Sequence, residues 1–234
     1  SVWGISLGVT VSNAVIKLLS LDKSFITRNI KLNQFKSEGV LYFSKAGIYA
    51  TANEKERFRL FVSNIEKLVS EFSNFARMPR PILKKINLLK LINSSLDFVK
   101  MTSKASINLK VRERKAFING DEDQLNRVFI NLMKNSEEAF EEIRKKDPKF
   151  KGIIDIEINS NNDYITCRLT DNGPGITDAK KAMTPYFTTK KTGTGLGLPI
   201  VNKIINEHSG NFLIKNKSKG EGTLIKILLP KFNA

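Results

Sequence analysis

The chain contains a single cysteine, Cys167, and a single histidine, His208, among 234 residues. One cysteine cannot form a disulfide within the chain, which is typical of a protein in a reducing compartment. Because Cys167 lies in a stretch where apolar residues alternate, we expect it to be a buried core residue and not a reactive thiol.

The chain also lacks a long uninterrupted apolar run. Residues 1–21 are uncharged except for Lys17, but polar residues interrupt them, and a membrane-spanning helix needs about 20 apolar residues. No basic residue precedes this segment, so it also differs from a signal peptide. We therefore expect no membrane span within this sequence and a cytoplasmic location.

Acidic residues are scarce relative to basic ones, 23 against 39, which gives a formal net charge of +16. Such a charge favours nucleic acids, anionic membranes or acidic proteins as partners. The lysines are scattered, however, and no basic block alternates with aromatic residues that could stack on bases. We expect no specific nucleic-acid binding, and a DNA-binding protein is the weakest interpretation.

Apolar periodicity divides the chain into two parts. Between Phe58 and Phe75 apolar residues recur every three or four positions, which predicts a helix that ends before Pro79. Pro79 and Pro81 then interrupt the chain. The sequence thus predicts a helical segment over residues 1–80, which could serve for dimerisation, and a second domain over residues 81–234.

The second domain alternates predicted helices with hairpin strands. Apolar spacing predicts helices through residues 88–99, 125–133 and 200–205, and strands through residues 107–111, 153–158, 164–169, 212–214 and 224–229. Asp121 is a candidate N-cap for the second of these helices. The pattern indicates an α+β fold, a two-layer α/β sandwich with helices on one face of a mixed sheet. In the first part, alternating apolar residues over residues 5–11 predict one more strand.

Four short motifs follow one another in the second half of the chain. They are residues 131–135 (NLMKN), 171–176 (DNGPGI), 185–190 (PYFTTK) and 193–198 (GTGLGL). Each alone is typical of a turn or a helix end. Together, in this order and spacing, they resemble the nucleotide-binding domain of sensor histidine kinases, within the group that includes type II topoisomerases, Hsp90-type chaperones and MutL-type proteins. The resemblance implies a Bergerat-type fold with ATP and Mg²⁺ as ligands.

Asn131 and Asn135 lie four residues apart, so their amides project from one face of the predicted helix. Mg²⁺ that already carries phosphate oxygens needs only one or two protein oxygen ligands. The resemblance implies that Asn135 coordinates Mg²⁺ and that Asn131 lies near the phosphates. In hydrolytic relatives a glutamate replaces Asn131 and activates water; an amide cannot accept that proton, so Asn131 favours transfer to another nucleophile.

The remaining motif residues have roles implied by the same resemblance. Asp171 would accept a hydrogen bond from the adenine amino group, Lys190 would neutralise phosphate charge, and the glycines of residues 193–198 would bring backbone N–H groups toward the phosphates. The complete set implied for ATP binding is Asn131, Asn135, Asp171, Gly173, Gly175, Ile176, Phe187, Thr188, Thr189, Lys190, Gly193, Thr194, Gly195, Leu196, Gly197, Leu198 and Thr223. Other nucleotide motifs fail, because position 198 lacks the third glycine of a dinucleotide fingerprint and no Gly-Lys pair exists for a P-loop.

A histidine kinase also needs a phosphoacceptor histidine upstream of the aromatic helix, and residues 1–57 contain no histidine. Residues 69–79 (VSEFSNFARMP) resemble the end of the dimerisation helices in NtrY-type nitrogen-regulation sensor kinases, and the resemblance covers residues 53–230. It lapses at residues 11–16 (VSNAVI), where such kinases have His-Glu-Ile-Lys-Asn-Pro. A degenerate first helix, an altered sequence and a reading-frame shift upstream of Asn53 all explain this. We expect Gly210 to be the capping glycine at a predicted helix end, and His208, two residues before it, to contact that helix end and not to act in catalysis.

Three interpretations follow. The first is the catalytic core of a two-component sensor histidine kinase, the cytoplasmic portion of a sensor that is often membrane-anchored in relatives. It binds ATP and Mg²⁺, forms a homodimer and passes the phosphoryl group through a histidine to a response regulator. The second is a non-catalytic ATP-binding module that dimerises through residues 56–78, and the third is an anti-sigma-type serine kinase. Phosphotransfer to a protein histidine distinguishes the first from the second.

Overall fold

The structure is a computed structural model. It describes residues 38–46, 50, 53–76, 78–185, 187–188, 195–217 and 222–232. These residues form two compact units: one holds those up to Pro79 together with Pro185–Leu196, and the second holds Arg80–Thr184 and those from Gly197 onward. No helix in these ranges is long and apolar enough to cross a membrane. The strand expected over residues 5–11 lies outside the described residues.

The first unit is helical in its described parts. Helix α1 spans Glu54–Ala76, which confirms the predicted aromatic helix, and the side chain of Asn53 accepts a hydrogen bond from the N–H of Glu56 (2.9 Å) at its start. Residues 38–43 are also helical. The rings of Tyr42 and Phe61 lie 4.8 Å apart between centroids, and Phe61 is buried. The apolar stripe of α1 is therefore covered, at this point, by the preceding helical residues.

Three of the four helices in the described part of the second unit begin with a side-chain N-cap. The four are α2 (Leu88–Lys100), α3 (Glu122–Arg144), the single turn α4 (Ala179–Ala182) and α5 (Gly197–Glu207). The caps of the first three are Asn87, Asp121 and Asp178, each of which accepts a hydrogen bond from an N–H three residues on. The expectation that Asp121 caps α3 is confirmed.

The described residues of the second unit contain seven strands, which form two sheets. They are β1 (Lys84–Asn87), β2 (Ser106–Val111), β3 (Phe117–Gly120), β4 (Ile153–Ser160), β5 (Tyr164–Asp171), β6 (Asn211–Asn216) and β7 (Thr223–Pro230). The main sheet has the order β2-β4-β5-β7-β6; β2 runs parallel to β4 and the other pairs are antiparallel. The sheet is mixed, as predicted. The small β1-β3 sheet was not predicted, because strands of four residues show too little alternation.

The core lies between one face of the main sheet and the apolar sides of α2, α3 and α5. Alternate residues of β4, β5 and β7 are buried, as are the facing positions of the three helices. Cys167 is one of them, and burial raises the pKa of its thiol to about 12, which confirms a core role. The two-layer α/β sandwich is therefore the observed fold. Its layers bring the end of β5, the middle of α3 and the start of β7 together.

Candidate ATP-binding site

Asp171, the last residue of β5, is the centre of the site. Its side chain is 5% exposed. Oδ1 accepts hydrogen bonds from the backbone N–H groups of Gly173 and Thr223, both at 2.9 Å, and Oδ2 accepts one from Oγ of Ser136 at 3.1 Å. Three donors from the glycine loop, β7 and α3 therefore converge on one carboxylate.

The backbone of Gly222 lies against the backbone of Asp171. A Cβ added at Gly222 would be 2.0 Å from the carbonyl oxygen of Asp171, and the φ of Gly222 is +90°. Both observations require glycine at this position. The Nζ of Lys217 also reaches the Asp171 carbonyl oxygen, at 3.4 Å. The start of β7 is thus fixed against the end of β5 on the side where Thr223 donates to the carboxylate.

The glycine loop that follows Asp171 is held at both ends by asparagine side chains. Asn172 accepts from the N–H of Ile153 (2.7 Å) and donates to the carbonyl of Lys151 (2.9 Å). Asn216 accepts from the N–H of Ile176 (2.6 Å) and donates to its carbonyl (2.8 Å). Two amides thereby set the path of the loop, including the part that contains Gly173 and Gly175.

The two loop glycines are constrained for different reasons. Gly175 has a φ of +78°, and a Cβ there would lie 2.7 Å from Oδ1 of Asn216. Gly173 is buried, and a Cβ there would lie 3.1 Å from Oδ1 of Asp171 and 3.5 Å from the Phe140 ring. The absence of side chains leaves space beside the carboxylate edge, as a flat ligand requires.

Asn131 and Asn135 lie one turn apart on α3, and both are half-buried. A Cβ added at Gly197 would be 3.5 Å from Nδ2 of Asn135, so this amide lies beside the first residue of α5. The first turn of a helix carries N–H groups without intrahelical partners and favours anions. Asn135 therefore lies where an anion such as a phosphate would be favoured.

The other predicted site residues divide into three groups. Ile176 and Leu198 lie in the second unit, in the glycine loop and in the first turn of α5. Phe187, Thr188, Gly195 and Leu196 belong to the first unit. Thr189, Lys190, Gly193 and Thr194 lie outside the described residues.

Four residues that contribute to the site had no role in the sequence analysis: Ser136, Asn172, Asn216 and Gly222. Ser136 directly follows Asn135, and Gly222 directly precedes Thr223, so adjacency to predicted residues was the available signal. Asn216 carried no signal, because it is 40 residues away from its partner Ile176 in the sequence and only the fold brings the two together.

His208 is 3% exposed and lies at the opposite end of α5 from Gly197. Its Nε2 accepts from the N–H of Asp121 (2.9 Å), so Nδ1 carries the proton and donates to the carbonyl of Ile204 (2.8 Å). The contact with the helix end is as expected. The cap differs from the expectation, because the left-handed residue after α5 is Ser209 (φ +55°) and not Gly210. Gly210 is needed for space, since a Cβ there would lie 2.6 Å from the carbonyl oxygen of Leu228.

Beyond Ser136, an ionic network joins α3 to the loop after α2. Glu137 accepts hydrogen bonds from Arg144 (2.8 Å), the hydroxyl of Ser103 (2.9 Å) and the N–H of Lys104 (3.1 Å). Burial alone would raise the pKa of Glu137, but the hydrogen bonds led by that of Arg144 outweigh it and lower the pKa below its ordinary value of 4.5. This network fixes the segment of α3 that follows Asn135 and Ser136.

The arrangement around Asp171 fits an adenine nucleotide. A carboxylate offers about four acceptor positions, and the hydrogen bonds described above fill three of them. Among the described residues, the hydrogen bonds leave one acceptor position on Oδ2, on a buried, charged group next to glycines. A planar ligand that presents an amino group would complete this carboxylate, and Asn135 and the start of α5 provide the polar end.

The family assignment rests on a sequence match to this same region. Residues 120–233 match the family model described as histidine kinase-, DNA gyrase B-, and HSP90-like ATPase. The matched residues, which include α3, the main sheet from β4 onward and α5, are similar to that family.

Curated relatives of this chain include proteins described as NtrY-like sensor histidine kinases. The chain is 34% identical over 168 residues to an NtrY-like sensor histidine kinase of Rickettsia conorii, an alignment that covers 70% of this chain and 27% of the relative. It is 29% identical over 170 residues to the nitrogen regulation protein NtrY of Azorhizobium caulinodans, covering 72% of this chain and 22% of the relative. The aligned part thus spans about a quarter of the length of these relatives.

Solved structures show the same fold. The nucleotide-free catalytic domain of the histidine kinase ThkA is 26% identical and superposes with a TM-score of 0.54, covering 64% of this chain and 95% of that one. A structure of ThkA in complex with the response regulator protein TrrA superposes with a TM-score of 0.60 at 20% identity, covering 88% of this chain and 60% of that one. The second likeness concerns the fold alone.

Proposed function

We propose that the second unit is the ATP-binding catalytic domain of an NtrY-like two-component sensor histidine kinase. The observation that carries this proposal is the buried carboxylate of Asp171, with three donors in place and one acceptor position left for an adenine amino group. A guanine would present an oxygen at that position, which the carboxylate would repel. The site therefore selects ATP.

The phosphates and Mg²⁺ belong at the other end of the site. Among the described residues no three acidic, histidine or cysteine side chains cluster as a metal site. A divalent cation would therefore be held jointly by phosphate oxygens and by the amide oxygen of Asn135, which suits a hard cation with few protein ligands. Asn131 would lie near the phosphates, and because its amide cannot accept a proton it would not activate water. Phosphoryl transfer to a protein nucleophile is thereby favoured over hydrolysis.

The motifs between residues 185 and 198 complete the proposal. Phe187, Thr188, Thr189 and Lys190 would border the nucleotide, with Lys190 neutralising phosphate charge. Gly193, Thr194, Gly195 and Leu196 would bring backbone N–H groups toward the phosphates. Gly197 and Leu198 would form the first turn of α5 below the phosphates.

The phosphoryl group must leave this chain to reach a histidine of the usual kind. Residues 1–57 contain no histidine, and both ring nitrogens of His208 are engaged inside the fold. The acceptor would be the dimerisation-domain histidine of an intact kinase, and the next acceptor a response regulator, the class of protein bound by ThkA in its complex. Helix α1 would supply the dimer contact.

The test is phosphotransfer in trans. The purified chain is mixed with γ-labelled ATP and Mg²⁺, alone and with an isolated dimerisation domain that retains its histidine, and acid-labile label is measured. We expect label on the added domain and none on this chain. Acid-labile label on the chain itself would contradict the buried, engaged state of His208.

One alternative is favoured by a specific observation. The absence of a histidine from residues 1–57 also suits a module that binds ATP and a partner protein without transferring phosphate. Absence of label on either protein, with ATP binding measured separately, would favour that module. Acid-stable label on serine would favour an anti-sigma-type kinase.

A further inference from the structure

Ser136 is a serine in the middle of α3 whose hydroxyl faces the candidate site. It is 4% exposed, and its Oγ lies 3.1 Å from Oδ2 of Asp171 and 3.5 Å from the carbonyl oxygen of Leu132. A hydroxyl has one hydrogen to donate. The carboxylate is the nearer acceptor and is charged, so it receives that hydrogen.

The hydrogen bonds on Asp171 are unequally divided between its two oxygens. Oδ1 takes both backbone donors, from Gly173 and Thr223, and these remain whatever side chain is present elsewhere. On Oδ2, the hydroxyl of Ser136 is the protein donor among the described hydrogen bonds. Ser136 thus determines how many acceptor positions of Oδ2 are open and in which direction the open one points.

We infer that Ser136 is a positioning residue for nucleotide-base selection. By occupying one acceptor position of Oδ2 it leaves the other for a single amino hydrogen of the base. This inference rests on the proposed ATP site and goes beyond it, because Asp171 alone would accept the base without a fixed direction. Removing the hydroxyl leaves Oδ2 of Asp171 buried and charged, with two open acceptor positions. Water can then occupy the position that the base would otherwise use.

The test compares two ligands that differ only in the group Asp171 recognises. Binding of ATP and of purine riboside triphosphate, which lacks the 6-amino group, is measured by calorimetry for the wild type and for Ser136→Ala. We expect Ser136→Ala to weaken ATP binding roughly five- to tenfold, the size of one hydrogen bond. Binding of the purine analogue should change less than about twofold.

The chain offers a matched control in Ser95. It is a buried helical serine in α2 whose Oγ lies 3.0 Å from the carbonyl of Leu91 and 2.6 Å from Oδ1 of Asn126. Ser95→Ala removes a comparable hydroxyl away from Asp171, and we expect it to leave the affinity ratio of the two ligands unchanged. Ser136→Cys keeps the side-chain volume and a weaker donor, and we expect a smaller loss of ATP binding. It carries the same comparison if Ser136→Ala melts below the assay temperature.

The outcomes separate this inference from the proposed function. An equal loss for both ligands, or no loss for ATP, would overturn the positioning role of Ser136 while leaving the ATP site intact. A wild type that binds neither ligand would overturn the proposed function and this inference with it. A loss confined to ATP, absent in Ser95→Ala, supports the inference.

Discussion

Replacing Asp171 with asparagine tests the central hydrogen-bond arrangement with almost no change in shape. The amide oxygen of Asn can accept from the N–H groups of Gly173 and Thr223, as Oδ1 does in the wild type. The amide nitrogen then replaces Oδ2, and the hydroxyl of Ser136 can rotate so that it accepts instead of donating. The fold should tolerate this change.

ATP binding, in contrast, should be weakened strongly by Asp171→Asn. An adenine amino group would lose a hydrogen bond to a charged acceptor, worth about 1.5–3 kcal/mol, and would face a donor in its place, at a cost of about 1–3 kcal/mol. At about 1.4 kcal/mol per tenfold, a combined loss of roughly 2.5–6 kcal/mol predicts ATP binding weaker by about 10²- to 10⁴-fold. The new amide donor suits a 6-oxo group, so inosine triphosphate should gain relative to ATP.

Calorimetric titration of both nucleotides, with thermal melting of each protein, measures these effects. Asp155→Asn is the matched control, because Asp155 lies on neighbouring β4 and is exposed, with its carboxylate accepting from Asn108 (2.8 Å). We expect that variant to bind ATP as the wild type does. If Asp171→Asn melts normally and binds ATP within about threefold of the wild type, Asp171 does not recognise the base.

Three further expectations concern the frame of the site. Gly222→Ala would place a Cβ 2.0 Å from the carbonyl oxygen of Asp171, so we expect the melting temperature to fall by more than about 10 °C. Gly39→Ala is the control: a Cβ added there has no heavy atom within 4 Å, so this variant should melt no lower than the wild type. His208→Ala should cost about 2–4 kcal/mol of unfolding free energy in denaturant titration, from a cavity and two lost hydrogen bonds, and a change under about 0.5 kcal/mol would contradict its structural role. Glu137 has a lowered pKa, so the stability it contributes is present above pH 4.5, its ordinary pKa, and is lost as the pH falls through its pKa in the folded protein. Glu137→Gln should therefore be less stable than the wild type at about pH 7 and should lose less stability between about pH 5 and pH 3. Parallel curves of stability against pH for the two proteins would contradict this.

The fold of the second unit was largely predictable, because its helices and long strands carry clear apolar periods. Helix α3 repeats apolar residues at helical spacing, and β5 alternates buried and open positions along its length. Strands β1 and β3 were missed because four residues are too few to show a clear alternation. At the C-terminal end of α5, the preference of helix caps for glycine predicted Gly210 as the left-handed residue, but that residue is Ser209. Glycine is required at position 210 because a Cβ there would lie too close to the carbonyl oxygen of Leu228.

The two central residues of the candidate site, Asp171 and Asn135, belong to motifs that are visible in the sequence, and their roles stay predictions. The supporting residues were not predicted, because their role depends on distances that the sequence does not encode locally. Asn216 reaches Ile176 across 40 residues, and Ser136 reaches Asp171 across 35. An asparagine or serine in such positions looks like any other polar residue until the sheet brings its partner close.

Two contacts at opposite ends of the α3–α5 pair explain why the only histidine is structural. Near the start of α3, the N–H of Asp121 donates to His208 just beyond the end of α5, while the carboxylate of Asp121 caps α3 and accepts from the N–H of Ile82 (2.9 Å). About 20 Å further along α3, at 1.5 Å per residue, Asn135 lies beside Gly197 at the start of α5. The histidine therefore fixes the register of two antiparallel helices whose other ends hold the polar part of the site. A phosphoryl group on either ring nitrogen would break that register, so we expect His208 to stay unmodified while the two helices remain paired.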